Sequence, residues 1–181
     1  PDGMLDLNSL RRALRPSTRL LVTTHASNVF GTLLPVSAVA ALAREKNIFY
    51  LVDAAQTAGA IPLDVQEMGV DLLAFSGHKG LLGPTGTGGL YIREGMALTP
   101  LMRGGTGSDS VHETQPDFFP DAYESGTLNV AGIAGLGAGV RFLAEIGIEN
   151  VRTHEQKLVA QFLAGASEIP GVTVYGPRDA A

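Results

Sequence analysis

Short apolar runs that end abruptly in polar residues, each followed by a helix-like segment, constrain this chain more than any other feature. Residues 19–24 (RLLVTT), 48–52 (IFYLV) and 72–75 (LLAF) are apolar and β-prone without clean alternation, the pattern of strands buried on both faces. Between the first two lies a segment opened by Pro35 that runs to about Lys46, with Val36, Val39, Ala40 and Ala43 facing the core. Between the next two lies a short helix at residues 65–68, stopped by Gly69. An earlier helix-spaced set, Leu7, Leu10 and Leu14, is closed by Pro16, and residues 89–93 read as a fourth strand. Strand and helix in alternation predict an α/β fold with a mostly parallel sheet and flanking helices.

Open α/β sheets bind ligands just beyond the C-terminal ends of their strands. The polar residues gather there, at 24–28, 53–56 and 76–79. Asp53 ends a strongly apolar strand, so its carboxylate is expected in a poorly solvated place where it needs a partner. The competing reading is a cap for the following turn, and Gln56 is open to a plain loop role. Lys79 follows the next strand, wedged between His78 and a glycine-rich loop rather than on a helix face. A lone lysine is ordinarily a solvated surface charge. To act near neutral pH, an amine of ordinary pKa about 10.4 must be desolvated or set beside another positive group. His78 and the end of a buried sheet offer both conditions.

Ser76 and His78 are donors suited to a phosphate, as are backbone N–H groups of the glycine-rich stretch GLLGPTGTGG at residues 80–89. That stretch is not a nucleotide phosphate loop, since its lysine precedes the glycines and no G-K-[ST] occurs. An acid, an amide, a hydroxyl and a lysine at adjacent strand ends suit pyridoxal 5'-phosphate. That cofactor needs an acid at its ring nitrogen, a donor at its phenolic oxygen, contacts for its phosphate and a lysine for covalent attachment.

The ordered set Thr24-His25-Ala26-Ser27-Asn28, Gly31-Thr32, Asp53-Ala54-Ala55-Gln56, Ser76-Gly77-His78-Lys79, Gly83-Pro84-Thr85-Gly86 and Glu124-Ser125-Gly126-Thr127 closely resembles class V aminotransferases, most of all cysteine desulfurases and selenocysteine lyases. The resemblance covers nearly the whole chain. It implies a pyridoxal-phosphate enzyme whose Lys79 forms the Schiff base and later moves protons at the substrate α-carbon. It implies Asp53 at the pyridinium nitrogen, Gln56 at the phenolic oxygen, Ser76 and His78 at the phosphate, and Asn28 beside the cofactor and the substrate carboxylate. Thr127 is implied to reach the phosphate of a neighbouring subunit in a homodimer. His25 stays open between lining the site and a structural role, and His112 and His154 are expected at the surface. Residues 1–128 are then the second half of the cofactor-binding large domain, and residues 129–181 connecting helices and the start of a smaller α/β domain. Leu158, Phe162 and Ile169 are expected to pack towards a strand at residues 172–175.

The resemblance implies L-cysteine as the substrate, alanine and an enzyme persulfide as the products, and a possible sulfur-acceptor protein as partner. An aminotransferase, a kynureninase-like lyase or an epimerase would use the same constellation, and a fold that kept its shape without the reaction is the rival of another class. Three residues, Gly80-Leu81-Leu82, separate Lys79 from Gly83-Pro84 where many desulfurases have two, which bears on the subgroup. The family's stacking ring, its carboxylate-gripping arginine and its persulfide cysteine have no matching position, so a piece of a longer protein is expected, inactive by itself.

Composition narrows the partners. The chain has 181 residues, 45 % hydrophobic and 17 % charged, with a formal net charge of −5 and no Lys/Arg run. A nucleic-acid or anionic-membrane surface is disfavoured, and no apolar stretch reaches the roughly 18 residues of a spanning helix. A cytoplasmic location is the default expectation. Zero cysteines exclude disulfides and thiolate chemistry within the chain. Of the 23 glycines, those at 77–89 and 104–107 suggest backbone turning or approaching a ligand, and those at 132–139 close helix packing. The loops at 104–107 and 117–123 are open between interface and surface turn.

Overall fold

The computed structural model describes residues 3–109 and 111–179; Pro1, Asp2, Ser110, Ala180 and Ala181 lie outside the described residues. Helix α1 (Leu7–Ala13) begins where the Asp6 carboxylate accepts the N–H of Asn8 at 2.9 Å, satisfying one of the donors that a helix start leaves free. After β1 (Leu20–Thr24), Pro35 precedes α2 (Val36–Glu45), which turns Val36, Val39, Ala40, Leu42 and Ala43 inward. Strand β2 (Phe49–Asp53) leads to the single-turn α3 (Val65–Met68), whose Asp64 cap accepts the N–H groups of Gln66 and Glu67. Strands β3 (Leu72–Ser76) and β4 (Gly88–Ile92) complete the sheet, and α4 (Val130–Ile146) and α5 (Ile148–Ser167) follow a long irregular segment.

The sheet has the order β1-β2-β3-β4, with β1, β2 and β3 parallel and β4 antiparallel to β3. This is the mostly parallel α/β sheet expected from the sequence. Thr24, Asp53 and Ala74 lie side by side in register, so the polar strand ends form one continuous edge. Asp71 ties the other end: its carboxylate accepts the N–H of Tyr50 at 2.8 Å and the Arg93 guanidinium at 2.7 Å. The core lies under α2, where Tyr50, Val52, Val70 and Leu73 pack against Val39, Ala40 and Ala43.

Three expectations are corrected. Strand β1 is an edge strand, and Leu20 and Val22 remain 48 % and 56 % exposed; it has a neighbour on one side and a helix on one face. No strand forms at 172–175, because no described segment runs alongside to supply ladder hydrogen bonds. Leu158, Phe162 and Ile169 are accordingly exposed rather than packed against it. Among the described residues no single helix is long and apolar enough to cross a membrane.

The glycines of α4 do serve close packing. A Cβ at Gly139 would sit 2.4 Å from the Leu81 carbonyl oxygen, and one at Gly135 2.7 Å from the Pro84 ring. Contacts this short are accessible only without a side chain. Helix α4 thereby presses its backbone onto the loop that follows Lys79.

Candidate cofactor site

Strand β3 ends at Ser76, and the chain then folds into a closed turn. The N–H of Gly83 donates to the Gly77 carbonyl at 2.7 Å, that of Leu82 to the Lys79 carbonyl at 2.9 Å, and that of Gly77 to Thr87 at 2.8 Å. Lys79 and His78 project from this turn into solvent. The desolvation expected for Lys79 is not supplied by these residues: the turn lies at the rim of the sheet, and α4 covers its Leu81–Pro84 side instead.

Asp53 is exposed as well, which corrects the expectation of a poorly solvated carboxylate. Its Oδ1 accepts the N–H of Ala55 at 2.9 Å, the local capping bond that competed with the site reading. Its second carboxylate oxygen has no hydrogen-bond partner among the described residues and is open to a ligand. Gln56 is half-buried and Asn28 exposed, and both line one cavity of about 970 Å³ together with Ser27, Arg152 and Tyr175. Asp53, Ser76, His78, Lys79 and Thr127 are not among its lining residues. Thr127 lies apart and exposed, after Gly126, whose N–H donates to the Gly105 carbonyl at 2.8 Å. His154 is exposed, and His112 pairs at the surface with Asp109 at 2.8 Å.

Backbone contact joins the turns after β2 and β3. A Cβ at Gly59 would lie 2.3 Å from the carbonyl carbon of Gly80, and Gly59 has φ +85. Gly80 in turn comes so near the Ala58 carbonyl oxygen that its Cβ would be 2.6 Å away. The Lys79 turn is therefore seated directly against residues 58–60, two positions beyond Gln56.

One buried polar atom stands out. The Ser76 hydroxyl oxygen is shielded from solvent and has no hydrogen-bond partner among the described residues. An unsatisfied buried hydroxyl is costly, and this one sits at a strand end beside N–H-bearing glycine backbone. A phosphate oxygen would satisfy it. The donor set thus fits pyridoxal phosphate: a hydroxyl and an imidazole for the phosphate, a carboxylate for the ring nitrogen, an amide for the phenolic oxygen and a free amine.

Sequence reasoning missed Thr57, which is buried next to Gln56 and hydrogen-bonds His25 Nδ1 through its hydroxyl at 3.0 Å. Its only local signal is a threonine in a tight turn after a strand. Burial holds the His25 imidazole below its ordinary pKa, so the ring is neutral at neutral pH. Arg152 of α5 was also unmarked, because nothing in a helical pattern tells which polar residue will face a distant loop.

The family model described as Aminotransferase class-V matches residues 1–181. A probable cysteine desulfurase of Methanothermobacter thermautotrophicus is 40 % identical over 96 % of this chain and 44 % of that protein. A cysteine desulfurase of Escherichia coli O8 is 39 % identical over 99 % of the chain and 45 % of its own length. Among solved structures, the cysteine desulfurase CsdA of Escherichia coli superposes with a TM-score of 0.81 at 33 % identity, covering 97 % of this chain and 45 % of that one. The apo cysteine desulfurase of Thermococcus onnurineus gives 0.78 at 31 % identity, covering 99 % and 45 %. The chain thus spans less than half the length of these relatives. Its motifs, its sheet and its match from end to end make it a member of the class V aminotransferase family.

Proposed function

We propose that this chain carries the cofactor-binding part of a pyridoxal-phosphate enzyme that removes sulfur from L-cysteine, leaving alanine. The observation that carries the cofactor half is the buried Ser76 hydroxyl, without a hydrogen-bond partner among the described residues, three positions before the exposed Lys79. The substrate half is supported by the relatives, whose names are those of cysteine desulfurases.

When bound, the cofactor supplies an electron sink for negative charge developing at the substrate α-carbon. Lys79 is the residue that attaches it and that takes or returns a proton at that carbon. The free oxygen of Asp53 holds the proton of the ring nitrogen, and the Gln56 amide donates to the phenolic oxygen. Ser76 and His78 bind the phosphate. Asn28, which lines the same cavity as Gln56, takes the substrate carboxylate. With no cysteine in its 181 residues, the chain leaves the persulfide to a thiol elsewhere, and by itself gives no turnover.

A homodimer belongs to the same proposal, with Thr127 of one copy reaching the phosphate held by the other. Leu101, Met102, Val111 and Phe119 all point into solvent from the irregular segment before α4, where a second copy would cover them. A sulfur-acceptor protein and a cytoplasmic location complete the reading. The test is to supply L-cysteine to the protein that carries this chain and assay alanine and protein-bound sulfur. Alanine with equimolar persulfide is expected. Amino-group exchange with a keto acid and no sulfur release would favour the aminotransferase reading.

A further inference from the structure

The side chains of His25 and Thr57 come from turns 32 residues apart, yet meet at 3.0 Å. Each turn carries one residue of the cavity pair: Asn28 follows His25 by three positions, and Gln56 immediately precedes Thr57. The backbone of His25 is already committed to the fold. Its N–H donates to the Asp53 carbonyl at 2.8 Å, and its carbonyl accepts from Leu34 at 2.8 Å. The imidazole is therefore not needed to hold β1 against β2, and its bond to Thr57 is a separate tie.

Thr57 is 2 % exposed, and its hydroxyl also reaches the Ala54 carbonyl at 3.4 Å. With that hydroxyl donating to Ala54, its oxygen accepts the Nδ1–H of His25, which fixes both the tautomer and the ring plane. The Thr57 carbonyl further accepts the N–H groups of Ala60 and Ile61 at 3.0 and 3.1 Å. Those residues directly follow Gly59, the point of backbone contact with the Lys79 turn. A continuous set of contacts thus runs from the Asn28 turn through His25 and Thr57 to the turn that bears Lys79.

We infer that His25 is a positioning residue, whose imidazole locks the Asp53–Thr57 turn to the Asn28 turn and so sets Gln56 and Asn28 at a fixed separation across the cofactor site. Burial keeps the imidazole neutral, consistent with a donor Nδ1–H and an unprotonated Nε2. The inference rests on the cofactor reading of this site for its functional consequence, while the lock itself is a property of the chain.

The test compares His25→Leu, Thr57→Val, Thr57→Ser and the double variant His25→Leu/Thr57→Val. Thr57→Val keeps the shape of the buried residue and removes only the hydroxyl, so it guards against a simple folding failure. Each disabling single variant is expected to weaken pyridoxal phosphate binding about ten-fold and to shift the absorption band of the bound cofactor, the effect of one lost hydrogen bond. The double variant is expected to match the singles, and Thr57→Ser to restore both readouts. Wild-type affinity and spectrum in His25→Leu and Thr57→Val, with only a lowered melting temperature, would overturn the inference. Amide hydrogen exchange at residues 54–58 is measured without cofactor alongside. Faster exchange in both disabling variants is expected, and unchanged exchange also overturns the lock. Failure of the unaltered chain to bind pyridoxal phosphate, with exchange responding as expected, counts against the cofactor reading alone.

Discussion

On the face of the sheet beneath α2, Tyr50, Val52 and Leu73 are sealed from water, whereas on the opposite face Leu20, Val22, Phe49 and Leu90 stay between 42 % and 56 % exposed. By strand register and alternation, Thr24, Asp53 and Ser76 belong to that second, open face. One face therefore holds the fold and the other presents the chemistry. The comparison teaches that hydrophobic burial here fixes where strand ends lie, while at those ends the Asp53 carboxylate is left exposed and the Ser76 hydroxyl is left without a hydrogen-bond partner among the described residues.

The sharpest way to break this separation is Lys79→Ala. Exposed in a turn closed by its neighbours' backbone bonds, Lys79 is expected to tolerate removal within about 0.5 kcal/mol of stability while covalent cofactor attachment disappears. Circular dichroism and mass spectrometry of the borohydride-reduced protein check the two halves. Next in size is the contrast across the sheet. Leu73→Ala, under α2, is expected to cost about 2–5 kcal/mol, and Val22→Ala, on the open face, within about 0.5 kcal/mol. Urea denaturation of the two variants measures the difference, and equal costs would dissolve the distinction between faces.

Gly59→Ala acts at the junction of fold and site. Its φ is positive and its new Cβ would meet Gly80 at 2.3 Å, so a loss above about 1 kcal/mol is expected together with displacement of the Lys79 turn. Weakened cofactor binding in a protein that still folds is the outcome to look for by equilibrium titration.

The smallest effect is one of pH. His25 has its folded pKa pushed below the ordinary 6.5 by burial. Below that ordinary value the unfolded chain takes up a proton that the native ring resists. Its contribution to stability is therefore whole above about pH 6.5 and declines as the pH falls through the lowered folded value. Melting temperatures of the wild type and His25→Leu, compared from pH 7.5 to 5, are expected to differ in their slope over that window.

Much of this was legible in the sequence because it is local. The apolar runs of β2 and β3, the inward face of α2 and the clustering of polar residues at strand ends follow from period and composition within a few positions. The glycines of α4 likewise signalled a close approach. What was not legible depends on neighbours. An apolar run such as residues 19–24 cannot say whether a second strand and a second helix lie beside it, and residues 172–175 alternate as a strand without a ladder partner. Asp53 ends an apolar strand, which suggested burial, but the rim of the sheet faces water. The His25–Thr57 contact spans 32 positions and leaves no periodic trace.

The central claim is that Lys79 is the attachment point of pyridoxal phosphate. The most direct measurement is to incubate the protein with the cofactor, reduce with borohydride and map the modified peptides by mass spectrometry. The account predicts one pyridoxyl group, on Lys79. A label on Lys46 or Lys157 with Lys79 unmodified would contradict it.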